Sequence, residues 1–461
     1  MAEQSNQSRR TFVKAAGAAA AVAVASKYVA APAIHKARAQ SNQVQFGFIG
    51  PGSRGQRLIE RHLVKIDAGR CVAVCDVYQP NLDMAAKTFG TNPDKYNDYR
   101  ELLARKDVEA VFITVPLYLH YPIMRDALLA GKHVFCEKSL VFTPAEYHGL
   151  KKIAEERPKQ IVQVGLQRRY SKFYDLAEDM IKKGAIGEVT HIFGMWHRNS
   201  NWRRPLKDTS LEKQINWRMY REFSGGLTAE LASHQIDIAD RMMGVAPEFV
   251  SGVGGLDFYQ DGRDIYDNIH LLFQYPGGRK FEYSSIGTNA HLPYGGLKGM
   301  REFGEVIKGT GGSIEITLGK AMWYREPVTA KRTEEAGTAK ENWVAGSTVT
   351  NVKPGDGLPI LLPEDEIKDS DSFLQKEMKF ARRWLYSKGV MVPEEEVDPE
   401  YAELKSYLEC IRDNKPENVK ANLEVGLLDS LGVMMSNKAM DEGRRVYYNE
   451  IDKMGLEGAK A

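Results

Sequence analysis

The feature that most constrains this fold is a glycine-rich turn set between two apolar patterns. The run Val44-Gln45-Phe46-Gly47-Phe48-Ile49 ends in Gly50-x-Gly52-x-x-Gly55. It then passes into residues 56–64, where Leu58, Ile59 and Leu63 share one face at helical spacing. The pattern predicts strand, tight turn, helix. Gly50 permits the turn, Gly52 lets the backbone approach a pyrophosphate, and Gly55 lets the helix sit close to the sheet. Ser53 and Arg54 then fall at a helix N-terminus whose N–H groups face the phosphates. A second strand, residues 71–76, ends in Asp76, 21 residues after Gly55. That is near the ~20 expected for the carboxylate that holds the ribose hydroxyls. An aspartate there repels a 2′-phosphate, so the predicted cofactor is NAD, with NADP disfavoured.

The alternation continues. Strands are predicted at 108–116, 133–138 and 161–165, with helices at 121–129 and 144–156 between them. Short connections between alternating elements imply a parallel, doubly wound sheet, whose ligands lie beyond the strand carboxyl ends. Gly52, Asp76, Thr114, Pro116, Glu137 and Lys138 all fall at those ends. Beyond residue 166 the rhythm changes. A helix at 173–183 leads to strand-like runs at 189–197, 248–255, 268–275, 280–286, 302–307 and 313–318, and Pro276-Gly277-Gly278 joins two of them as a hairpin. Residues 320–400 read as loop-rich insertions, and helices near 400–413 and 420–442 close the chain. The predicted fold class is therefore α/β. Residues 40–166 would form a Rossmann dinucleotide-binding domain. Residues 167–461 would form an α+β domain with a large, mainly antiparallel sheet for substrate binding and oligomerisation.

The first 39 residues read as an export signal. Ser8-Arg9-Arg10-Thr11-Phe12-Val13-Lys14 precedes an Ala-rich run at 15–25, and small-residue cleavage sites fit at Ala37-Arg38-Ala39 or Ala31-Pro32-Ala33. The apolar run is about half the ~20 residues that span a bilayer, so no stable membrane span is expected. The predicted partner is the twin-arginine export machinery, and the predicted location is periplasmic or extracellular. That route carries folded proteins, which suits a cofactor loaded before export. The chain holds 63 basic and 61 acidic residues; beyond position 39 the balance becomes 57 to 60. No basic excess remains to suggest nucleic acid. Cys71 and Cys75 lie roughly 13 Å apart along one strand, too far to bridge, and the sequence reads as disulfide-free. No CxxC or zinc-type histidine spacing occurs, and no metal site is predicted.

Four elements occur in a characteristic order: Gly50-x-Gly52-x-x-Gly55; Thr114-Val115-Pro116 followed by His120; Gly131-Lys132-His133-Val134-x-x-Glu137-Lys138; and Gly225-Gly226…Glu230-x-x-x-His234-x-x-Asp237. In these the chain resembles the Gfo/Idh/MocA oxidoreductases, over roughly residues 44–318 and again in the final helices. It departs from them in two places. Ser139 stands where the family usually has proline after Glu-Lys, and Glu230-Leu231-Ala232-Ser233-His234 replaces Asp-x-Gly-x-His. The resemblance implies that Lys138 and His234 act at the reacting carbon, with Glu230 in support and His120 near the cofactor.

The residues themselves allow this chemistry. Oxidising a secondary alcohol needs a hydride acceptor and a base for the hydroxyl proton. Lys138 at a strand end can bind the hydroxyl oxygen, its pKa lowered by burial and a neighbouring cation. Glu230 and His234, four apart in a helical segment, share a face, so Glu230 can orient His234 while His234 relays the proton. Structural roles fit as well: a strand-end surface lysine, a satisfied histidine, a surface carboxylate, a packing role for His120, and a partner role for Asp237. Substrate contacts are expected from Trp196, Arg198, Trp202, Trp217, Arg218 and Tyr220, with Asp237 beside them. Indole faces suit sugar C–H groups, and the polar side chains suit hydroxyls, though a domain-packing cluster would look the same.

An exported dehydrogenase has no soluble nicotinamide pool, so its cofactor should stay bound and be regenerated each turnover. One closed cycle oxidises a sugar or polyol and reduces a second carbonyl compound. Another oxidises a sugar hydroxyl transiently, eliminates a glycosidic bond and reduces the ketone back; Glu222, Tyr220 and His197 are the candidates for its extra acid and base. An exported sugar-binding protein with a vestigial dinucleotide site is the non-enzymatic alternative, and binding alone would need neither Lys138 nor His234. A homodimer or homotetramer is expected, since a broad sheet with one open face must bury it.

Overall fold

The computed structural model describes residues 43–292, 303–317, 321–326, 342–344, 347–349, 357–362, 366–387 and 398–454. The predicted export signal lies outside them. The first sheet has six parallel strands: β1 (Val44–Ile49), β2 (Gly69–Cys75), β3 (Asp94–Tyr96), β4 (Ala110–Ile113), β5 (His133–Cys136) and β6 (Val162–Val164), in the order β3-β2-β1-β4-β5-β6. Strand β3 was not anticipated; three polar, largely exposed residues at a sheet edge give no apolar run to read.

The period of two sets both faces of this sheet. Val44, Phe46, Phe48, Ala110, Phe112 and Phe135 point to one side; Ile49, Val111, Ile113, Val134 and Cys136 point to the other. On the second side helices His120–Leu129 and Pro144–Glu155 pack. Gly47 is required there, because a Cβ would stand 2.5 Å from Leu102. The first side receives helix Ser53–Arg61 and, from the far end of the chain, helix Pro399–Asp413. Tyr407 of that helix meets Phe112 edge-on at 5.3 Å between ring centroids. A helix assigned from sequence to the second domain thus completes the core of the first.

The second sheet is built on β7 (Val189–His197), β8 (Phe249–Gly255), β9 (Asn268–Tyr275), β10 (Arg279–Ile286), β11 (Phe303–Gly309), β12 (Gly312–Ile316) and β13 (Ala321–Arg325). Two-residue strands Leu358–Pro359 and Val446–Tyr447 form its edges, and the strand order is 358–359, β13, β12, β11, β7, β10, β9, β8, 446–447. All pairs are antiparallel except β7 with β10. Helices Ser233–Met243 and Leu423–Glu442 cover one face. The four cysteines are buried and unbridged. No helix among the described residues is long and apolar enough to cross a membrane.

Where the C-terminal helix returns to the first sheet it brings charge with it. Arg54 Nε donates to Glu137 Oε1 at 2.7 Å, and an Arg54 Nη to Glu400 Oε1 at 2.8 Å. His62 Nε2 lies 3.2 Å from the other Glu400 oxygen. Against the pull of burial, these partners hold the Glu400 carboxyl at about 2. His62, Asp398 and Glu400 place potential ligand atoms within 4.8 Å of one another, but Arg54 and Arg57 share Glu400, so the cluster is an ion-pair network. One turn further on, Glu403 is fully buried, and neither carboxylate oxygen has a hydrogen-bond partner among the described residues. Burial first, then the nearby Glu137, raises its pKa well above the ordinary range.

This sign has a measurable consequence. A raised carboxyl keeps its proton in the folded state after the unfolded chain has lost it, near pH 4.3. Stability therefore falls as pH rises above that value, by about 1.4 kcal/mol per pH unit until the folded pKa is reached. Glu403→Gln is expected to remove one such contribution. Thermal unfolding followed from pH 5 to 9 should show a shallower alkaline fall in the variant. Parallel curves for variant and wild type would contradict it.

Candidate active site

The glycine turn has the geometry a dinucleotide phosphate needs. Gly50 adopts φ 81°, a left-handed conformation open to glycine. A Cβ there would also lie 2.5 Å from Val115. At Gly55 a Cβ would meet Thr114 Oγ1 at 2.8 Å and Phe48 at 2.9 Å, so the helix can approach the sheet only without one. At Gly52, by contrast, a Cβ would meet open space. Helix Ser53–Arg61 starts there with no side-chain cap and no acidic residue in its first turn, leaving N–H groups and the positive dipole end for an anion. Thr114 Oγ1 donates to Gly50 O at 2.7 Å and ties the turn to the end of β4. Asp76, just past β2, accepts from Tyr78 N at 2.9 Å and from Asn81 Nδ2 at 3.0 Å, and partial burial raises its pKa. These residues fit a dinucleotide: the turn has room, the helix end has donors, and a fixed carboxylate stands just past the end of the neighbouring strand.

The other predicted cofactor residues take supporting places. The Arg54 charge is spent on Glu137 and Glu400. Pro116 opens the short turn Leu117–Leu119. His120 is buried, with Nδ1 2.7 Å from Ser139 O and Nε2 3.0 Å from Val115 O. Burial favours the neutral imidazole, whose single N–H donates to one of these two carbonyls, and His120 thereby ties down the loop after β5.

Lys138 projects from that loop toward the second domain. Its Nζ donates to Ala229 O at 2.8 Å and to Glu230 O at 2.7 Å. Desolvation lowers its pKa, with Arg218 adding to the effect and Glu230 opposing it. The two carbonyls are available because the backbone here is a π-turn, Thr228–Ala232, leading into helix Ser233–Met243. His234, in the first turn of that helix, is buried; its Nδ1 has no hydrogen-bond partner among the described residues. Burial pushes its pKa well below 6.5, and Lys138, Arg168, Arg54 and Arg198 push it further. His234 is a neutral imidazole at neutral pH.

One expectation needs correction. Glu230 does not hydrogen-bond His234. Its carboxylate accepts from Arg218 Nε at 2.8 Å, and Arg218 and Lys138 hold it ionised against the effect of burial. The π-turn and the guanidinium draw the side chain away from the face that regular helical spacing implied. Ser139, which stands where the family usually has proline, donates from Oγ to Asp429 Oδ2 at 3.3 Å, on the long C-terminal helix. The site therefore has a carboxylate behind Lys138 that no local motif announces.

Among the aromatic and basic residues predicted for substrate, the structure sorts three groups. Trp196 is buried, with its ring 5.5 Å from that of His234 and the Arg198 guanidinium 4.8 Å from its centroid. Trp217 is buried beneath Arg218, 4.3 Å from ring to guanidinium. Trp196, Arg198, Trp217 and Arg218 thus border Lys138, Glu230 and His234. Trp202 lines a small pocket with Arg198, Leu231, Tyr259 and Tyr266. Tyr220 and Asp237 are committed elsewhere, Tyr220 to Glu212 at 2.9 Å and Asp237 to Arg169 at 2.6 Å. The extra acid–base candidates are engaged too: Glu222 pairs with Lys213, and both ring nitrogens of His197 have partners. Residues the sequence reading missed include Arg168, whose guanidinium lies 5.3 Å from the Trp196 ring and forms a buried ion pair with Glu305.

Known proteins resemble this chain in sequence and in fold. A family model described as the NAD-binding Rossmann fold of an oxidoreductase family matches residues 44–166, and its companion, the GFO/IDH/MocA C-terminal domain, matches residues 174–315. Inositol 2-dehydrogenase of Salmonella typhimurium is 34% identical over 155 residues, 34% of this chain and 46% of the relative. A glycosyl hydrolase family 109 protein of a Shewanella species is 29% identical over 242 residues, 48% of this chain and 52% of the relative. The chain thus spans about half the length of the curated relatives it matches. The solved structure of scyllo-inositol dehydrogenase from Lactobacillus casei, with bound NAD(H) and scyllo-inositol, superposes with TM-score 0.60 at 18% identity, over 88% of this chain and 99% of that one. A dinucleotide turn at the head of one sheet and a lysine–histidine pair between that sheet and a second, with matches to both domain models over more than half of the sequence, make this chain a member of the Gfo/Idh/MocA oxidoreductase family.

Proposed function

We propose that this protein is an NAD-dependent oxidoreductase acting on a secondary hydroxyl of a sugar, polyol or glycoside. The observation that supports this reading is that Lys138, at the carboxyl end of the dinucleotide sheet and bonded to Ala229 O and Glu230 O, stands near enough to a neutral His234 to lower its pKa, and that His234 Nδ1 has no hydrogen-bond partner among the described residues. As a neutral amine, Lys138 donates its two N–H groups to Ala229 O and Glu230 O and turns a lone pair toward the substrate. As an ammonium it offers its third N–H to the developing alkoxide. The same two carbonyls thus hold the nitrogen in place through both ends of a proton transfer. In the tautomer that carries its proton on Nε2, His234 Nδ1 is an acceptor that can take the proton onward. When bound, the nicotinamide accepts the hydride from the carbon. Trp196 and Trp217 supply flat walls, and Arg198 can bond substrate oxygens.

Inositol 2-dehydrogenase relatives favour oxidation of a polyol. The glycosyl hydrolase family 109 relatives favour a second reading, in which oxidation is transient and a glycosidic bond is eliminated before the ketone is reduced. Denaturing the purified protein and quantifying released NAD(H) and NADP(H) tests the common premise. Near-stoichiometric NAD(H) supports a retained, recycled cofactor. Incubation with inositols, aldoses and aryl glycosides then separates ketone formation from glycoside cleavage; an empty site in folded protein, with no nicotinamide binding, would overturn both readings. Asp76→Ser should shift preference toward NADP(H) by about tenfold or more, the worth of one charged hydrogen bond together with relieved repulsion of a 2′-phosphate. The ratio of dissociation constants for NADH and NADPH reads this directly.

Export by the twin-arginine route is part of the proposal and rests on residues 8–25. Converting Arg9 and Arg10 to lysine should leave the protein in the cytoplasm. Self-association through the open face of the second sheet is supported by Val253, 73% exposed, and Leu272, 43% exposed, and is read by the mass of the protein in solution.

A further inference from the structure

We propose that Arg204, delivered from the second domain, is the arginine that clamps the pyrophosphate of the bound dinucleotide. This rests on the nucleotide-binding reading above. The glycine turn has an arginine of its own, but Arg54 is neutralised by Glu137 and Glu400. The turn therefore supplies backbone donors and a helix dipole but no free cation for the two phosphate charges. Arg204 stands at the same place: one of its Nη atoms donates to Ser53 Oγ at 2.7 Å, and Ser53 is the first residue of the helix that Gly52 opens. Among the described residues no carboxylate lies within ion-pair distance of Arg204. Its neighbour Arg203 pairs with both Glu212 and Asp261, and Arg218 pairs with Glu230.

The backbone that presents Arg204 is fixed, while its side chain is exposed. Buried Asn216 accepts from Arg204 N at 2.8 Å through Oδ1 and donates to Arg204 O at 3.0 Å through Nδ2. The same Nδ2 also reaches Glu212 at 2.9 Å. A side-chain amide that holds both backbone groups of one residue fixes where its guanidinium emerges. An arginine fork held there suits a pyrophosphate, which accepts two parallel hydrogen bonds from it. Because the cation comes from the opposite domain, the dinucleotide would be gripped from both sides, and release requires that contact to open. The effect should therefore lie mainly in the dissociation rate.

The test uses the full-length protein with Arg204→Ala and Arg204→Lys. ADP-ribose, which keeps the pyrophosphate and lacks nicotinamide, is titrated by calorimetry, and NADH release is followed by stopped-flow fluorescence. Arg204→Ala is expected to weaken ADP-ribose about tenfold or more, in keeping with loss of charged hydrogen bonds, and to speed NADH release by a similar factor. The lysine variant should recover part of the affinity, and the unfolding midpoint of ligand-free protein should stay that of wild type. Wild-type affinity and release rate in Arg204→Ala would overturn the clamp, as would lost affinity accompanied by an equally lowered midpoint in the ligand-free variant. A wild-type protein that binds neither probe would remove the nucleotide reading itself and the clamp with it.

Discussion

Lys138→Ala is expected to lower turnover by about three orders of magnitude, in the middle of the range for losing a positioned acid–base group, while NAD(H) stays bound. The separation of these two effects is the informative part. Lys138 touches the second domain through Ala229 O and Glu230 O, and its Nζ has no hydrogen bond to the glycine turn among the described residues, so its removal should leave dinucleotide affinity within a few-fold. Two carbonyls lose a donor, which at about 1–3 kcal/mol should lower the unfolding midpoint without preventing folding. Lys138→Arg provides the sharper control. It restores charge and donors, but a guanidinium does not release a proton in this pH range. If Lys138 exchanges the substrate proton, arginine should rescue stability and leave turnover low. If Lys138 only positions the π-turn, arginine should restore much of the activity. The measurements are steady-state turnover, cofactor content after denaturation, and the unfolding midpoint of each variant.

What the sequence made legible follows from how local each signal is. The glycine turn, Asp76 and the alternation to β6 could be read because each depends on neighbours within about 20 residues and on periods of two and 3.6. Strands β7 to β12 were legible for the same reason, several to within a residue. The parallel pairing of β7 with β10 was not, since pairing partners about 90 residues apart leave no mark in either strand. Nor was the destination of helix Pro399–Asp413 visible. Its apolar face is evident, but Arg54 and Glu400 are 346 positions apart, and nothing local tells one helix which sheet it will cover. In the site, Lys138 and His234 were named because strand ends and helix faces are local. Ser139 with Asp429 and Arg204 with Ser53 are meetings across the fold, 290 and 151 positions apart, whereas Arg218 was named for substrate and its meeting with Glu230, 12 positions on, depends on the turn between them. The reading that failed, Glu230 orienting His234, assumed regular helical geometry where the chain makes a π-turn.

His234→Asn should lower turnover by about 10²- to 10³-fold and change its dependence on pH in a predictable direction. In the wild type the imidazole is desolvated and faces Lys138, Arg168, Arg54 and Arg198, so its pKa sits well below 6.5. On the acid side of the kcat/KM profile Lys138 must lose its proton to act as the base, and His234 must be neutral to accept one, so the His234 titration should appear as a second, steeper fall below the ordinary histidine range. Asparagine has no such titration, so the second fall should vanish while the Lys138 limb stays. Stability gives an independent reading with a defined sign. As pH falls below about 6.5 the unfolded chain takes up the proton first, so the fold loses about 1.4 kcal/mol per pH unit until the folded pKa is reached. The variant should lack that loss. Buried carboxyls oppose it: burial lifts Asp240 to about 8 and raises Asp429 and Glu403 well above their usual values, so these groups favour the fold on acidification. Total stability can thus be nearly flat where the individual contributions are steep. The difference between wild type and His234→Asn isolates the imidazole. A fall below pH 6.5 that is as steep in His234→Asn as in the wild type would assign the proton relay to another group, and Glu230 beside Arg218 would be the first to examine.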